Sequence, residues 1–376
     1  MATKATKKVE APPLEEVFKG VEFLDIGHTM LNMACSNGNP NGGIPRGRIT
    51  NLVGDGSAGK TWAALEIANR FFFDVPLIKS SIYGKKTKAH IIYNNAEKVM
   101  DFPLEKVFHE DFINAIDWRH ENVVEVAGME LFELIKLART TPDTSYLYII
   151  DSWDAMKSIK DKDRIEDDFK DIKKNHEADT KQKAGGGFKL GKAAFATQDF
   201  FPELCDRMDG VDITVVIVSQ LRIKIGEMFT QQYRTGGKAL DFYTHLVPWL
   251  TTKKKLELQY MKEKRVYGVE GEAEIRRSKV GKPWRKAGFT ILYDFGFNDM
   301  VDTISWVMNA AGKKISMGNF LEVFDIDATG SNAKSYDAFA EFVENNNLEH
   351  KVRAKAAELW IEIEENTQVK RKRKKG

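Results

Sequence analysis

Five short apolar runs organise the chain: Arg48–Gly54, Ala89–Asn94, Tyr146–Asp151, Ile213–Ser219 and Leu246–Thr252. Each is rich in β-branched and aromatic residues and too short for a helix, which predicts strands buried on both faces. Between them, apolar residues recur at helical spacing over Trp62–Phe73 and Met129–Arg139, and Phe200–Met208 reads as another helix. This alternation predicts an α/β fold with a largely parallel sheet flanked by helices. Beyond Lys253 the character changes. Lys254–Tyr260, Gly271–Arg277 and Gly288–Tyr293 read as consecutive strands joined by Gly-containing turns, and helices dominate from Asn298 onward. A Gly/Asn/Pro-rich turn, Asn37–Gly43, precedes the first strand. The start of the chain is polar, with one short helix expected over Leu14–Phe18. Lys157–Lys192 carries eleven Lys/Arg, eight Asp/Glu and the run Gly185-Gly186-Gly187. It reads as a long irregular segment, and Ser158–Leu190 as a mobile insertion that orders on a ligand.

The 376 residues suffice for one large α/β domain with flanking pieces. Apolar residues make up 42% and the formal net charge is only +2, so the distribution of charge matters more than its total. Twelve Lys/Arg stand against five Glu between Thr251 and Lys286, and Lys370–Lys375 is unbroken basic sequence. Either could be a solvated face. Cys35 and Cys205 are far apart and lack metal-ligand spacing, which argues against a disulfide framework or a zinc site. No run of 18 apolar residues and no signal-like segment occurs, so a cytoplasmic protein without membrane spans is expected.

The sharpest chemical signal is Gly54-Asp55-Gly56-Ser57-Ala58-Gly59-Lys60-Thr61, a full GxxxxGK[ST] between a predicted strand and a predicted helix. Its glycines let backbone N–H groups wrap phosphates, and the helix N-terminus adds its positive dipole end. Lys60 can reach the terminal phosphates of ATP, and the Thr61 hydroxyl can sit on Mg²⁺. Tyr146–Asp151, an apolar run ending in Asp, supplies the second metal-side group, Asp151. Glu97 lies just past the strand that ends near Asn94, where a carboxylate could polarise water. Position alone does not separate it from a surface carboxylate.

The order of these motifs resembles the RecA family of recombinases. Gly43-Ile44-Pro45-Arg46-Gly47-Arg48 is similar to the family's approach to the P-loop, and Asn95-Ala96-Glu97 stands where the family has Asp-Ala-Glu. Asp151-Ser152 matches its Walker B pair. Val216–Phe229 and Thr235–Tyr243 resemble its fourth core strand, second DNA loop and the segment that follows. The resemblance, which runs from about Asp25 to Phe297, implies that Glu97 is the catalytic base and Gln220 the γ-phosphate sensor. Residues 221–235 would bind single-stranded DNA, with Arg222 and Lys224 on phosphates and Ile225 against bases, and with Gly226, Phe229, Gly236 and Gly237 in the same site. A first DNA loop near 158–196, whose end the stretch Leu190-Gly191-Lys192-Ala193-Ala194 resembles, would place Lys192 on DNA. Arg277 and Lys279 would reach a neighbouring subunit's ATP, Phe242 would couple that interface, and Asp101 would lie near the adenine.

The domain reading that follows is an N-terminal protomer-contact segment (1–42), a RecA-type ATPase core (43–297) and a small helical C-terminal region with a basic tail (298–376). The implied protein hydrolyses ATP with Mg²⁺, forms helical filaments on single-stranded DNA with ATP between protomers, and pairs that strand with homologous duplex. Single-strand-binding and loader proteins would assist it. Several positions depart from the family pattern. Asn95 replaces an Asp, Arg277 a Lys, and Leu104 the usual adenine-stacking aromatic. The first DNA loop is longer, and the tail is basic rather than acidic. These peripheral departures are consistent with a phage-encoded member acting in the cytoplasm of an infected bacterium. Two alternatives share the core: a hexameric helicase, and an ATP-binding mediator without turnover. The absence of a collar domain and the presence of Glu97 weigh against them.

Overall fold

The computed structural model describes residues 20–100, 103–177, 191–223, 232–234, 237–327 and 333–369. Leu14–Phe18 and Lys370–Lys375 lie outside the described residues. One ten-stranded sheet organises the chain. Its strands are β1 (Ile49–Gly54), β2 (Lys88–Asn95), β3 (Ile116–Arg119), β4 (Thr144–Asp151), β5 (Ile213–Ile223), β6 (Gln232–Arg234), β7 (Leu246–Tyr260), β8 (Glu263–Ser278), β9 (Lys286–Leu292) and β10 (Gly296–Phe297). Their order is β10-β9-β8-β7-β1-β5-β4-β2-β3, with β6 on β5. Strands β7, β1, β5, β4, β2 and β3 run parallel, and β8, β9 and β10 add an antiparallel edge. The mixed α/β architecture is the one the apolar runs predict.

Side-chain alternation along the strands gives each face its own core. Leu52, Tyr93, Ile149 and Val218 point to one face, under helices α1 (Thr29–Ser36) and α2 (Lys60–Asp74). Ile92, Tyr148, Ile150 and Ile217 point to the other, under α3 (Val124–Thr140). The first core continues into the helices beyond Asn298: α5 (Asp299–Ala310), α6 (Met317–Phe324), α7 (Tyr336–Asn345) and α8 (Glu349–Asn366). Phe320 and Phe339 stack there at 4.3 Å, and Trp306 meets Trp360 at 5.8 Å. The N-terminal helix α1, the post-P-loop helix α2 and the C-terminal helices therefore share one apolar interior.

Two expectations need correction. Lys157–Lys192 is not irregular throughout, because Ile159–Glu177 is a helix (counted as α4 in chain order). Ser158 Oγ donates to Asp161 Oδ2 at 2.8 Å in its first turn, and Lys170–Asp167 pairs at i,i+3 spacing. Residues 178–190, including the three glycines, lie outside the described residues. The antiparallel edge is also built from longer strands than expected. Leu246–Thr252 and Lys254–Tyr260 belong to the single strand β7, paired with β8 along its length. Gly268, expected in a turn, lies inside β8 together with Gly271. A Cβ at Gly268 would lie 2.6 Å from the Ile291 carbonyl oxygen, and one at Gly271 would lie 2.3 Å from the Phe289 ring. Both permit close approach of β9.

Candidate active site

The phosphate cradle forms where β1 ends and α2 begins. Gly54 stands opposite Leu250, whose carbonyl oxygen would be 2.5 Å from a Cβ there. Gly59 adopts φ +81°, and a Cβ on it would lie 2.3 Å from Ile291 Cδ1. Only glycine lets the loop tuck against β9 while its amides face outward. Lys60, 8% exposed, opens α2 and donates from Nζ to the Asp55 carbonyl. Burial holds its ammonium below the ordinary lysine value, against the opposing pull of Asp151, Asp55 and Glu97. The cradle is thus preformed, with its cation folded back over the loop.

Strands β4 and β2 bring the carboxylates alongside. Asp151, the last residue of β4, accepts from Thr61 Oγ1 at 2.8 Å and from the Tyr93 hydroxyl at 2.7 Å. Burial pushes its carboxyl up from the ordinary value despite both hydrogen bonds. Glu97 accepts from Ser152 Oγ, and from Gln220 Nε2 at 2.8 Å. The Gln220 N–H donates to Asp154 Oδ2 at 2.7 Å. Lys60, Thr61, Asp151, Glu97 and Gln220 therefore converge at the C-terminal ends of the parallel strands. Oxygen donors beside a glycine-lined loop fit a nucleotide phosphate with Mg²⁺, which favours hard oxygen ligands. Thr61 and Asp151 would hold the ion.

Arg277 and Lys279 lie elsewhere. Arg277 is opposite Val247 near the beginning of β7, and Lys279 follows β8. Leu246 is level with Thr50, whereas the P-loop starts beyond Leu250. Both cations therefore belong to the N-terminal rim of the sheet, across it from the chain's own P-loop. Lys279 Nζ donates to the carbonyl of Phe242 at 2.7 Å, and Phe242 is 58% exposed. Lys192 is drawn toward the end of the sheet that carries the P-loop. Its Nζ donates to the Trp153 carbonyl at 2.9 Å and its N–H to Asp161 Oδ2 at 3.2 Å. Arg222 lies in β5 and Gly237 opens a short helix. Asp101, Lys224, Ile225, Gly226, Phe229 and Gly236 lie outside the described residues. Tyr93 and Asp154 received no role from the sequence, and Ser152 only its place in the Asp151-Ser152 pair. Asp154 follows the Walker B residue closely, but no spacing signal ties it to Gln220.

A P-loop between strand and helix, an acidic residue ending the strand one removed from it, and a carboxylate beyond the next strand are the arrangement of an α/β P-loop fold. The RecA N-terminal domain model matches residues 187–298. Protein RecA of Wigglesworthia glossinidia brevipalpis is 24% identical over 294 residues, covering 77% of this chain and 74% of that one. Protein RecA of Nitratiruptor sp. is 23% identical over 323 residues (84% and 79%), and that of Streptomyces coelicolor 23% over 284 residues (74% and 62%). The chain is thus similar to RecA proteins along most of its length, and the family model matches its later core strands. No described helix is long and apolar enough to cross a membrane.

Proposed function

We propose that the protein is a DNA-dependent ATPase that assembles on single-stranded DNA with nucleotide between protomers, and that it promotes homologous pairing and strand exchange. The observation that carries this reading is the division of the reactive groups between two rims of one sheet. Lys60, Thr61, Asp151, Glu97 and Gln220 lie on one, and Arg277 and Lys279 on the other. Cations that cannot reach their own P-loop suit the nucleotide of a second copy, so the complete site exists only in an assembly. Cations of this kind contribute roughly 10³–10⁵ in rate where they stabilise charge on a transferring phosphoryl group.

In this reading the P-loop amides and Lys60 bind and orient the phosphates of ATP. Mg²⁺, held by Thr61 and Asp151, would neutralise phosphate charge when bound. Glu97 orients water and accepts its proton. Gln220, hydrogen-bonded to Glu97, links that base to the strand leading into residues 221–235, the proposed DNA-binding stretch. Lys192, at the end of the first DNA loop, joins the same surface. The test is ATP hydrolysis with and without single-stranded DNA in the native chain, Glu97→Gln and Arg277→Ala. Strong stimulation that both variants lose is expected, with strand exchange as the next assay. Hydrolysis indifferent to DNA would refute the reading.

A further inference from the structure

The rim that carries Arg277 and Lys279 holds two more nitrogen groups. Arg48 immediately precedes β1, and His245 immediately precedes β7. The His245 N–H donates to the Ile49 carbonyl at 2.8 Å, and the Lys279 N–H donates to the His245 carbonyl at 2.8 Å. These bonds stitch the starts of β1 and β7 to the end of β8, and bring all four residues to one edge. The Ile49 N–H points at His245 Nδ1 at 3.4 Å, so the ring carries its proton on Nε2. A cavity of about 460 Å³ opens at this rim, lined by Arg48 and His245 together with Cys205, Asp206 and Asp209.

Asp206 and Asp209 line the same cavity without forming an ion pair with the cations of this rim. Nearby cations are paired: Arg276 with Glu274 at 2.8 Å, Lys282 with Glu364 at 2.9 Å, and Lys286 with Glu272 at 3.4 Å. Among the described residues, Arg48, Arg277 and Lys279 have no carboxylate within ion-pair distance, and Arg277 Nε is buried without a hydrogen-bond partner. Three clustered cations repel one another unless an anion joins them. Burial and these same cations push the His245 imidazole down to about 4, so it faces them as a neutral donor. The chain's own P-loop is across the sheet, with the six-residue strand β1 between, roughly 20 Å.

We propose that Arg48 and His245 form one phosphate-accepting rim with Arg277 and Lys279, and that His245 Nε2–H donates to the terminal phosphates of a nucleotide held by a second copy of this chain. The inference rests on the proposed completion of the site across protomers. It adds a third cation and a neutral hydrogen bond to the two cations already assigned there.

The test uses full-length chains and hydrolysis stimulated by single-stranded DNA. His245→Ala should lose about tenfold, as expected for one hydrogen bond to a charged acceptor. His245→Gln, which keeps an N–H donor, should retain most activity and so separates the hydrogen bond from a folding defect. Mixing His245→Ala with Glu97→Gln is the decisive arm. The second variant brings an intact rim but cannot turn over, so hydrolysis by the mixture should exceed that of His245→Ala alone. Arg277→Ala mixed with Glu97→Gln serves as the control. Recovery there but not with His245→Ala would overturn the role of His245 and leave cross-protomer completion standing. Recovery in neither mixture would overturn both. Full activity of His245→Ala would also refute the proposal. So would a loss confined to nucleotide-free DNA binding, which would assign the rim to strand phosphates instead.

Discussion

Replacing Glu66 with Gln should make the protein more stable at pH 8 and leave it nearly unchanged at pH 4.5. Glu66 lies on α2, six residues after the P-loop lysine. Its carboxyl is clamped between Gly27 and Gly296, where added Cβ atoms would lie 3.2 and 3.1 Å from its oxygens. Burial pushes it up to about 7 from an ordinary 4.5; Arg70, Asn69 and Trp62 oppose that rise and Asp25 adds to it. Between those two values the folded chain keeps a proton that the unfolded chain has released. Stability therefore falls as pH rises through this window, and it is fully present only below the unfolded value. Two and a half units correspond to an upper limit of about 3 kcal/mol. Gln keeps the shape without the charge, so it should recover up to that amount at pH 8, less the attraction to Arg70 that it gives up. Urea unfolding of both chains at pH 4.5 and pH 8, followed by tryptophan fluorescence, measures the difference, and groups that titrate equally in both chains cancel. A Glu66→Gln effect of the same size at both pH values would refute the reasoning.

Three further outcomes are expected. Gly59→Ala should weaken ATP binding about 10- to 100-fold, because the left-handed backbone and the clash with Ile291 together displace the loop; equilibrium binding of a fluorescent ATP analogue reads this, and unchanged affinity would remove Gly59 from the cradle. Tyr93→Phe should raise the Mg²⁺ concentration for half-maximal hydrolysis ~10-fold, since Asp151 loses its buried hydroxyl partner; an unchanged titration would leave Tyr93 a packing residue. Deleting Lys370–Gly376 should flatten the salt dependence of DNA binding, by roughly 0.7 in log–log slope for each single-strand phosphate that the tail neutralises; an unaltered slope would exclude the tail from DNA.

The P-loop and Asp151 were legible because a short apolar run ending in a polar motif marks the C-terminal edge of a buried strand, and local spacing carries the chemistry. Helix α1 was not, because all eight of its residues are buried and no apolar stripe distinguishes one face. Helix α4 was hidden for the opposite reason: its charged residues leave little apolar period to read. The supports of the site were illegible as well. Tyr93 meets Asp151 across 58 positions, Gln220 meets Asp154 across 66, and Ile49 meets His245 across 196. Only strand register brings these pairs together. Arg277 and Lys279 were picked out by resemblance, but their unpaired charge becomes meaningful only beside the paired cations around them.

The register of β5 suggests how DNA and hydrolysis are joined in the proposed function. Gln220 stands directly opposite Gly54, the first residue of the P-loop, and β5 continues through Leu221–Ile223 into a pairing with β6. In that proposed function, DNA bound at residues 221–235 would act on the same β-strand that holds Gln220. The glutamine has two anchors, its backbone N–H on Asp154 and its side-chain amide on Glu97. Turning the amide from Glu97 to a phosphate breaks one hydrogen bond to a carboxylate, about 1.5–3 kcal/mol, and makes a comparable one. The backbone anchor stays in place, so the strand need not shift register. The balance between these arrangements is of the size typical of coupling between sites, about 1–3 kcal/mol. On the proposed function, DNA bound at residues 221–235 would therefore decide whether Glu97 is held by Gln220 or released to orient water.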